Sequence, residues 1–328
     1  MHIPDGFVDG KTAVATAALA AVGLGVALRS VRRAFPPRRV PLIGLAAAFV
    51  FAAQMLNFPV AGGTSGHLIG GVLAAVLLGP SAAVVALSSV LILQCLLFAD
   101  GGLTALGANV FTLALVAPLV GYGVYALGRR AAGGGLRARL LATGFAAWCS
   151  TVAAAVVCAG ELAASGTVAW RVALPAMAGV HMVVGLGEAA ITTLVVVAVA
   201  GVRPELVEEA PGARAARYGS VAAYGLLVSL GLALFVAPFA SGLPDGLEAL
   251  AGALGLESRA ARAPALGAPL SGYSVPGAGG ASAALAGAIG TVVAFGLAWV
   301  LARLLTPRGA PAGRGAPHQG APDAPASP

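Results

Sequence analysis

Charge is what this sequence has least of. Of its 328 residues only 9% are Asp, Glu, Lys or Arg, 59% are hydrophobic, and the mean hydropathy is +0.94. Soluble domains carry about 25% charged residues, so a soluble globular fold is excluded. Cysteine is scarce as well. Cys95, Cys149 and Cys158 are three in number, and each falls inside an apolar run. An odd, lipid- or core-facing set argues against a disulfide framework. Catalytic signatures are missing: there is no HExxH, no GxSxG, no P-loop and no carboxylate pair at acid/base spacing. Without an ATPase signature, energy from ATP has to come from a partner. The first residues do not read as a signal peptide, because no basic stretch precedes an apolar core. No internal repeat of a few tens of residues is visible.

What remains is hydrophobic length. Nine apolar segments run from Thr12 to Leu28, Val40 to Leu56, Gly66 to Leu78, Ser81 to Phe98, Gly107 to Leu127, Leu140 to Gly160, Ala173 to Ala200, Ser220 to Ala240, and Ser282 to Leu305. The pattern predicts an all-α polytopic membrane bundle of about nine spans. The third segment is short. Thirteen residues at about 1.5 Å each reach about 20 Å, against a hydrocarbon core of about 30 Å. It ends at Gly79-Pro80, so it forms either a tight hairpin with the fourth segment or a partly re-entrant piece buried in protein.

The formal charge of +7 is not a nucleic-acid signal, since the arginines flank apolar spans. With the amino terminus outside and connections alternating, fifteen of the 19 basic residues fall inside. They are Arg29, Arg32, Arg33, Arg38, Arg39, Arg129, Arg130, Arg137, Arg139, Arg203, Arg214, Arg217, Arg303, Arg308 and Arg314. Lys11, Arg171, Arg259 and Arg262 fall outside. The positive-inside rule therefore predicts an N-out, C-in orientation. The chain divides into residues 1–202 with about seven helices, a cytoplasmic linker 203–217, and a two-helix segment 218–306 with an external loop 241–281. The Pro, Ala and Gly-rich tail 307–328 is expected to be disordered.

The chemistry concentrates in a few polar residues. The first seven, Met1-His2-Ile3-Pro4-Asp5-Gly6-Phe7, read as a chelator built from the terminus itself. A free α-amine, the amide nitrogen of His2 and its imidazole can wrap one ion in two fused rings. Nitrogen-rich sets suit late first-row ions such as Ni(II), Co(II) or Cu(II). Three nitrogens leave a square site one donor short. His67 follows a loop with glycines at 62, 63 and 66, which permit close backbone approach, and can supply the fourth. The plain alternatives are a solvated His2 and an interfacial His67. His181 and Glu188 lie seven apart on one helical face continued by Thr192. They form either an inner way-station for a cation or a polar pair that fixes helix packing. Gln94 and Asn109 read as helix caps or interhelix hydrogen bonds.

With these residues in view, the chain resembles the CbiM/NikM family, the substrate-binding membrane components of energy-coupling-factor cobalt and nickel transporters. The matching stretches are MHIPDGF at 1–7, NFPVAGGTSGHLIGG at 57–71, LFADGGLTALGANVF at 97–111 and HMVVGLGEAAIT at 181–192. The resemblance implies that Co2+ or Ni2+ is the transported substrate. It implies that the Met1 amine, the amide and imidazole nitrogens of His2, and the imidazole of His67 hold the ion. Asn57, Thr64 and Ser65 are supporting candidates from the same loop. The last two helices, with Pro244-Asp245-Gly246-Leu247-Glu248 and PLSGYSVPG at 269–277, resemble the auxiliary CbiN/NikN component, fused here. No organic cofactor is implied. The implied setting is the bacterial plasma membrane, beside a transmembrane coupling subunit and cytoplasmic ATPase subunits. Two other classes are weighed against this: a stand-alone carrier for an organic solute, and an intramembrane hydrolase using His181 and Glu188. The second has the wrong spacing for helical zinc motifs and no evident nucleophile.

Overall fold

The computed structural model describes residues 1–133, 135–207, 218–256 and 267–305. The linker residues 208–217, the loop stretch 257–266 and the tail 307–328 lie outside the described residues, and so do the arginines at 214, 217, 259, 262, 308 and 314.

The described chain is a helical bundle. Its helices are α1 (Gly10–Ala34), α2 (Val40–Gln54), α3 (Gly71–Leu78), α4 (Pro80–Leu93), α5 (Leu106–Asn109), α6 (Ala117–Ala131), α7 (Leu136–Ala164), α8 (Trp170–Val202), α9 (Tyr218–Gly231), α10 (Gly246–Ala253) and α11 (Ser282–Leu305). Three π-helical stretches, Gln94–Phe98, Val110–Val116 and Leu232–Val236, extend α4, join α5 to α6 and extend α9. The one strand pair among the described residues is the hairpin of β1 (Phe58–Val60) and β2 (Thr64–Gly66), with Pro59 opposite Ser65.

Each of the nine apolar segments contains a helix, and among the described residues seven helices are long and apolar enough to cross a membrane. The third segment holds only the eight residues of α3, about 12 Å of helix. The residues before it are buried instead of helical: Ser65, Leu68 and Ile69 are almost fully covered. Non-helical backbone at this depth is tolerated only when wrapped in protein, and here α8 and α2 wrap it.

Small residues set the packing. Along α11, Ala286, Gly290, Ala294, Ala298 and Ala302 recur every four residues and are buried, and this stripe lies against α2. A Cβ on Gly290 would sit 2.1 Å from the Phe51 ring, and one on Gly44 would sit 2.8 Å from the Phe295 carbonyl oxygen. Close helix approach over small side chains is the usual means of association in lipid. The C-terminal segment is thus packed into the bundle. Outward faces are apolar, as with Val14, Val22 and Val26 on α1 and Phe235 beyond α9.

The connections separate by end. At one end Gly102 N–H donates to the Ile3 carbonyl at 2.8 Å, Thr167 Oγ1 to the Phe7 carbonyl at 2.6 Å, and Ser65 N–H to the Pro244 carbonyl at 2.8 Å. At the other end the Arg39 guanidinium donates to the Leu77 carbonyl at 3.1 Å, and Arg139 donates to the Val207 carbonyl. The turns that carry Arg39 and Arg139 therefore lie opposite the amino terminus.

Candidate metal centre

The terminus is folded into protein. Met1, Ile3 and Phe7 are each less than 5% exposed. Ile3 is gripped twice by Asn109: its N–H donates to Asn109 Oδ1 at 2.8 Å, and Asn109 Nδ2 donates to its carbonyl at 3.0 Å. Asp5 Oδ1 accepts from Thr104 N–H at 2.8 Å and Thr104 Oγ1 at 2.6 Å. Gly6, at φ 85°, turns the chain as only glycine does cheaply. Asp9 then accepts from Thr12 N–H and caps α1. Asn109 was expected to serve as a cap or an interhelix bond; its partner is the backbone of the terminal segment.

This clamp aims the first two residues. The Met1 nitrogen lies 3.0 Å from His67 Nε2. The His2 and His67 rings stack, with centroids 5.4 Å apart and planes 11° from parallel. Nδ1 of His67 lies 3.2 Å from the Leu68 carbonyl. A carbonyl only accepts, so this nitrogen carries the proton and Nε2 presents its lone pair. His2 Nδ1 donates to Asp100 at 3.1 Å, and His2 Nε2 is buried with no partner.

Two carboxylates that the sequence reading did not place here face these nitrogens. The Met1 amine donates to Asp245 Oδ2, and Asp100 accepts from both His2 and the Tyr273 hydroxyl. Burial disfavours charge on the amine, but the Asp245 carboxylate outweighs it and raises its pKa above the ordinary 8.0. Burial also opposes ionisation of Asp245, yet the Met1 amine holds its carboxyl well below the usual range. Asp100 is likewise held low against burial, chiefly by His2. For His67, burial and then the neighbouring amine push the pKa down to about 3.

The supporting candidates divide. Ser65 is tied to the loop that leads into α10: its Oγ donates to the Leu243 carbonyl at 2.7 Å, and it bridges to Asp245. Thr64 Oγ1 closes its own hairpin on the Ala61 carbonyl at 3.1 Å. The Asn57 carbonyl accepts from Ser241 N–H, and its side-chain oxygen is buried without a partner. His181 lines a small cavity with Met1, His67, Thr151 and Asp245, and its Nδ1 donates to the Met177 carbonyl at 2.7 Å. Glu188, one face along α8, accepts from Ile69 N–H at 2.6 Å and Gly70 N–H at 2.9 Å. It fixes the chain that leads from His67 into α3. His181 and Glu188 share the buried face of α8 and have separate partners.

Comparison with known proteins now decides the family. Residues 2–206 match the family described as CbiM, cobalt uptake substrate-specific transmembrane region, and residues 219–307 match the PDGLE domain. The chain belongs to the CbiM family. It is 38% identical over 308 residues to the Archaeoglobus fulgidus protein that bears the name NikMN, covering 92% of this chain and 98% of that one. It is 39% identical over 246 residues to the fused nickel transport protein NikMN of Rhodobacter capsulatus, covering 70% and 71%. Among solved structures, a truncated transition metal transporter superposes with a TM-score of 0.56 at 37% identity, over 61% of this chain and 99% of that one. The seven long apolar helices in such a family are those of a multi-pass membrane protein. The fusion of a CbiM-type region to a PDGLE segment, expected from the sequence, is what the two matched regions show.

Proposed function

We propose that this protein is the substrate-capturing membrane component of an importer for Co2+ or Ni2+. The ion is held by the Met1 amine, the amide and imidazole nitrogens of His2, and the imidazole of His67. The observation that carries this reading is the Met1 nitrogen 3.0 Å from His67 Nε2, with the His2 ring stacked on that of His67. Among the described residues no three His, Cys, Asp or Glu side chains gather as a ligand cluster. The Met1 amine and the His2 amide add backbone nitrogens to the two imidazoles that face them. The soft-to-borderline nitrogen set favours late first-row ions over Mg2+ or Ca2+. An ion bound there takes one proton from the Met1 ammonium, which keeps two N–H groups for Asp245, and takes the proton that His2 Nδ1 now gives Asp100. Chelation through His2 Nδ1 requires that nitrogen to let go of Asp100.

The end that carries the terminus is the extracytoplasmic one, the arginine-rich end is cytoplasmic, and the chain runs between the two ends nine times, once through the short α3 and the buried stretch before it. Residues 1–202 form the metal-capturing unit, 203–217 a linker, and 218–306 the fused auxiliary unit. ATP is hydrolysed by separate subunits, joined through a transmembrane coupling subunit. The test is direct: purify the full chain with an unmodified Met1, load it with nickel or cobalt, and measure bound metal by mass spectrometry. One ion per chain is expected, with a loss of at least a hundredfold in affinity for His67→Ala. Metal uptake that ignores His67 would overturn the ligand assignment.

A further inference from the structure

The PDGLE segment reaches both residues of the N-terminal chelate, Met1 directly and His2 through Asp100. Asp245 caps α10 with one oxygen, accepting from Leu247 N–H at 2.8 Å and Glu248 N–H at 2.9 Å. Its other oxygen takes the Met1 amine. Glu248 closes the box by accepting from Asp245 N–H at 2.9 Å. Gly246 is needed for clearance, because a Cβ there would sit 2.8 Å from the His181 ring. Leu247 is buried in the same core as Met1 and Ile3. The Asp-Gly-Leu-Glu of the motif is thus a cap, a close approach to α8, an apolar anchor and a lock on the cap, and it delivers one carboxylate oxygen to the amine.

The second contact comes from the far side of the same segment. Tyr273 stacks on Phe98 with centroids 4.7 Å apart, and Leu270 N–H donates to the Leu97 carbonyl at 2.9 Å. So held, the Tyr273 hydroxyl donates to Asp100 Oδ2, while Asp100 Oδ1 accepts from His2 Nδ1 at 3.1 Å. Gln94 Nε2 donates to the Tyr273 oxygen at 3.3 Å. One residue of the PDGLE segment therefore holds the amine directly, and another holds the imidazole through Asp100.

We propose that Asp245 and Tyr273 are positioning residues for the metal: Asp245 orients the amine, and Tyr273 fixes the Asp100 carboxylate that keeps the His2 ring in place until the ion takes Nδ1. This rests on the terminal nitrogens being the ligands. Partners of this kind fix the direction of a donor, and their loss typically costs 10- to 100-fold in metal affinity. Asp245 has a further effect, because a bound dication takes the place of the ammonium beside its carboxylate.

The experiment uses the full chain with a free Met1, in detergent, with Asp245→Asn and Tyr273→Phe. Asparagine still caps a helix and phenylalanine still stacks, so both variants should fold. Chelator-buffered Ni(II) titration at pH 9 minimises proton competition for the amine, and the Cu(II) EPR spectrum reads the geometry of the ligand field. Each variant is expected to bind about tenfold more weakly or worse, with an altered or heterogeneous Cu(II) spectrum and wild-type helix content by circular dichroism. Asp245→Glu is expected to recover part of the loss. Affinities within twofold of wild type with an unchanged spectrum overturn the positioning role, provided wild type binds and His67→Ala does not. If wild type itself fails to bind, or His67→Ala binds as well as wild type, the ligand reading has failed instead.

Discussion

The Met1 nitrogen and His67 Nε2 stand 3.0 Å apart although 66 positions separate them in the chain. Only a primary amine at this place combines a small donor with the adjacent His2 amide. Acetylation, or any peptide fused ahead of Met1, turns that amine into an amide and adds volume to a buried site. Ni(II) affinity of such a chain is expected to fall by at least a hundredfold. Its helix content should match wild type, because the clamp of Asn109 on Ile3 lies downstream of the change, while its thermal midpoint drops with the loss of the buried pair between the amine and Asp245. Isothermal titration of tagged and untagged protein checks this, and equal affinities refute it.

The pH dependence follows from the same pair. With neutral-solution values near 6.5 for histidine, the sequence alone predicts a steep fall in affinity below about pH 6. Burial pushes His67 down to about 3, so its ring is already neutral from pH 4 upward and contributes no slope. The Met1 amine moves the other way, above 8.0. Below that raised value each bound ion must displace at least one proton from it. Affinity therefore falls as pH falls, by at least about tenfold per unit between pH 8 and pH 6. Chelator-buffered titrations at pH 6, 7 and 8 read the slope; a flat profile across that range would falsify amine ligation.

Gly102 tests the clamp. A Cβ at this position would lie 2.3 Å from the Asp5 amide nitrogen and 2.7 Å from its Cα. Those are backbone atoms, so the terminal segment has to move bodily. Gly102 also donates to the Ile3 carbonyl. Gly102→Ala is expected to weaken Ni(II) binding about tenfold or more, while the transmembrane helices stay intact by circular dichroism. The chemistry of the ligands is untouched, so a normal affinity would mean that the terminus need not be seated against this loop.

The bundle was legible because lipid writes long apolar runs into a sequence, and the glycine-rich loop before His67 announced a close approach. Asp245 was not legible as a partner of Met1. The two are 244 positions apart, and an aspartate opening a short helix already has a local explanation as its cap. Asp100 sits in a turn-rich stretch where aspartate is ordinary. The shortness of α3 was readable from segment length, but its cause was not. The cause is Glu188, which takes two backbone N–H groups of the buried stretch that a longer helix would have satisfied itself.

Glu188 therefore makes the last prediction. Its carboxylate accepts from Ile69 and Gly70 N–H, and the residue is 2% exposed. Glu188→Ala leaves two buried donors unpaired, at about 1–3 kcal/mol each, and opens a cavity beside α8. A clear drop in thermal midpoint is expected. Metal affinity should fall with it, since His67 lies two residues before Ile69 on the same stretch. Glu188→Gln keeps one accepting oxygen and should fall between the two. If Glu188 were instead a metal ligand, the glutamine variant would lose binding while keeping nearly full stability. Thermal melts and Ni(II) titrations on both variants, side by side, separate the two roles.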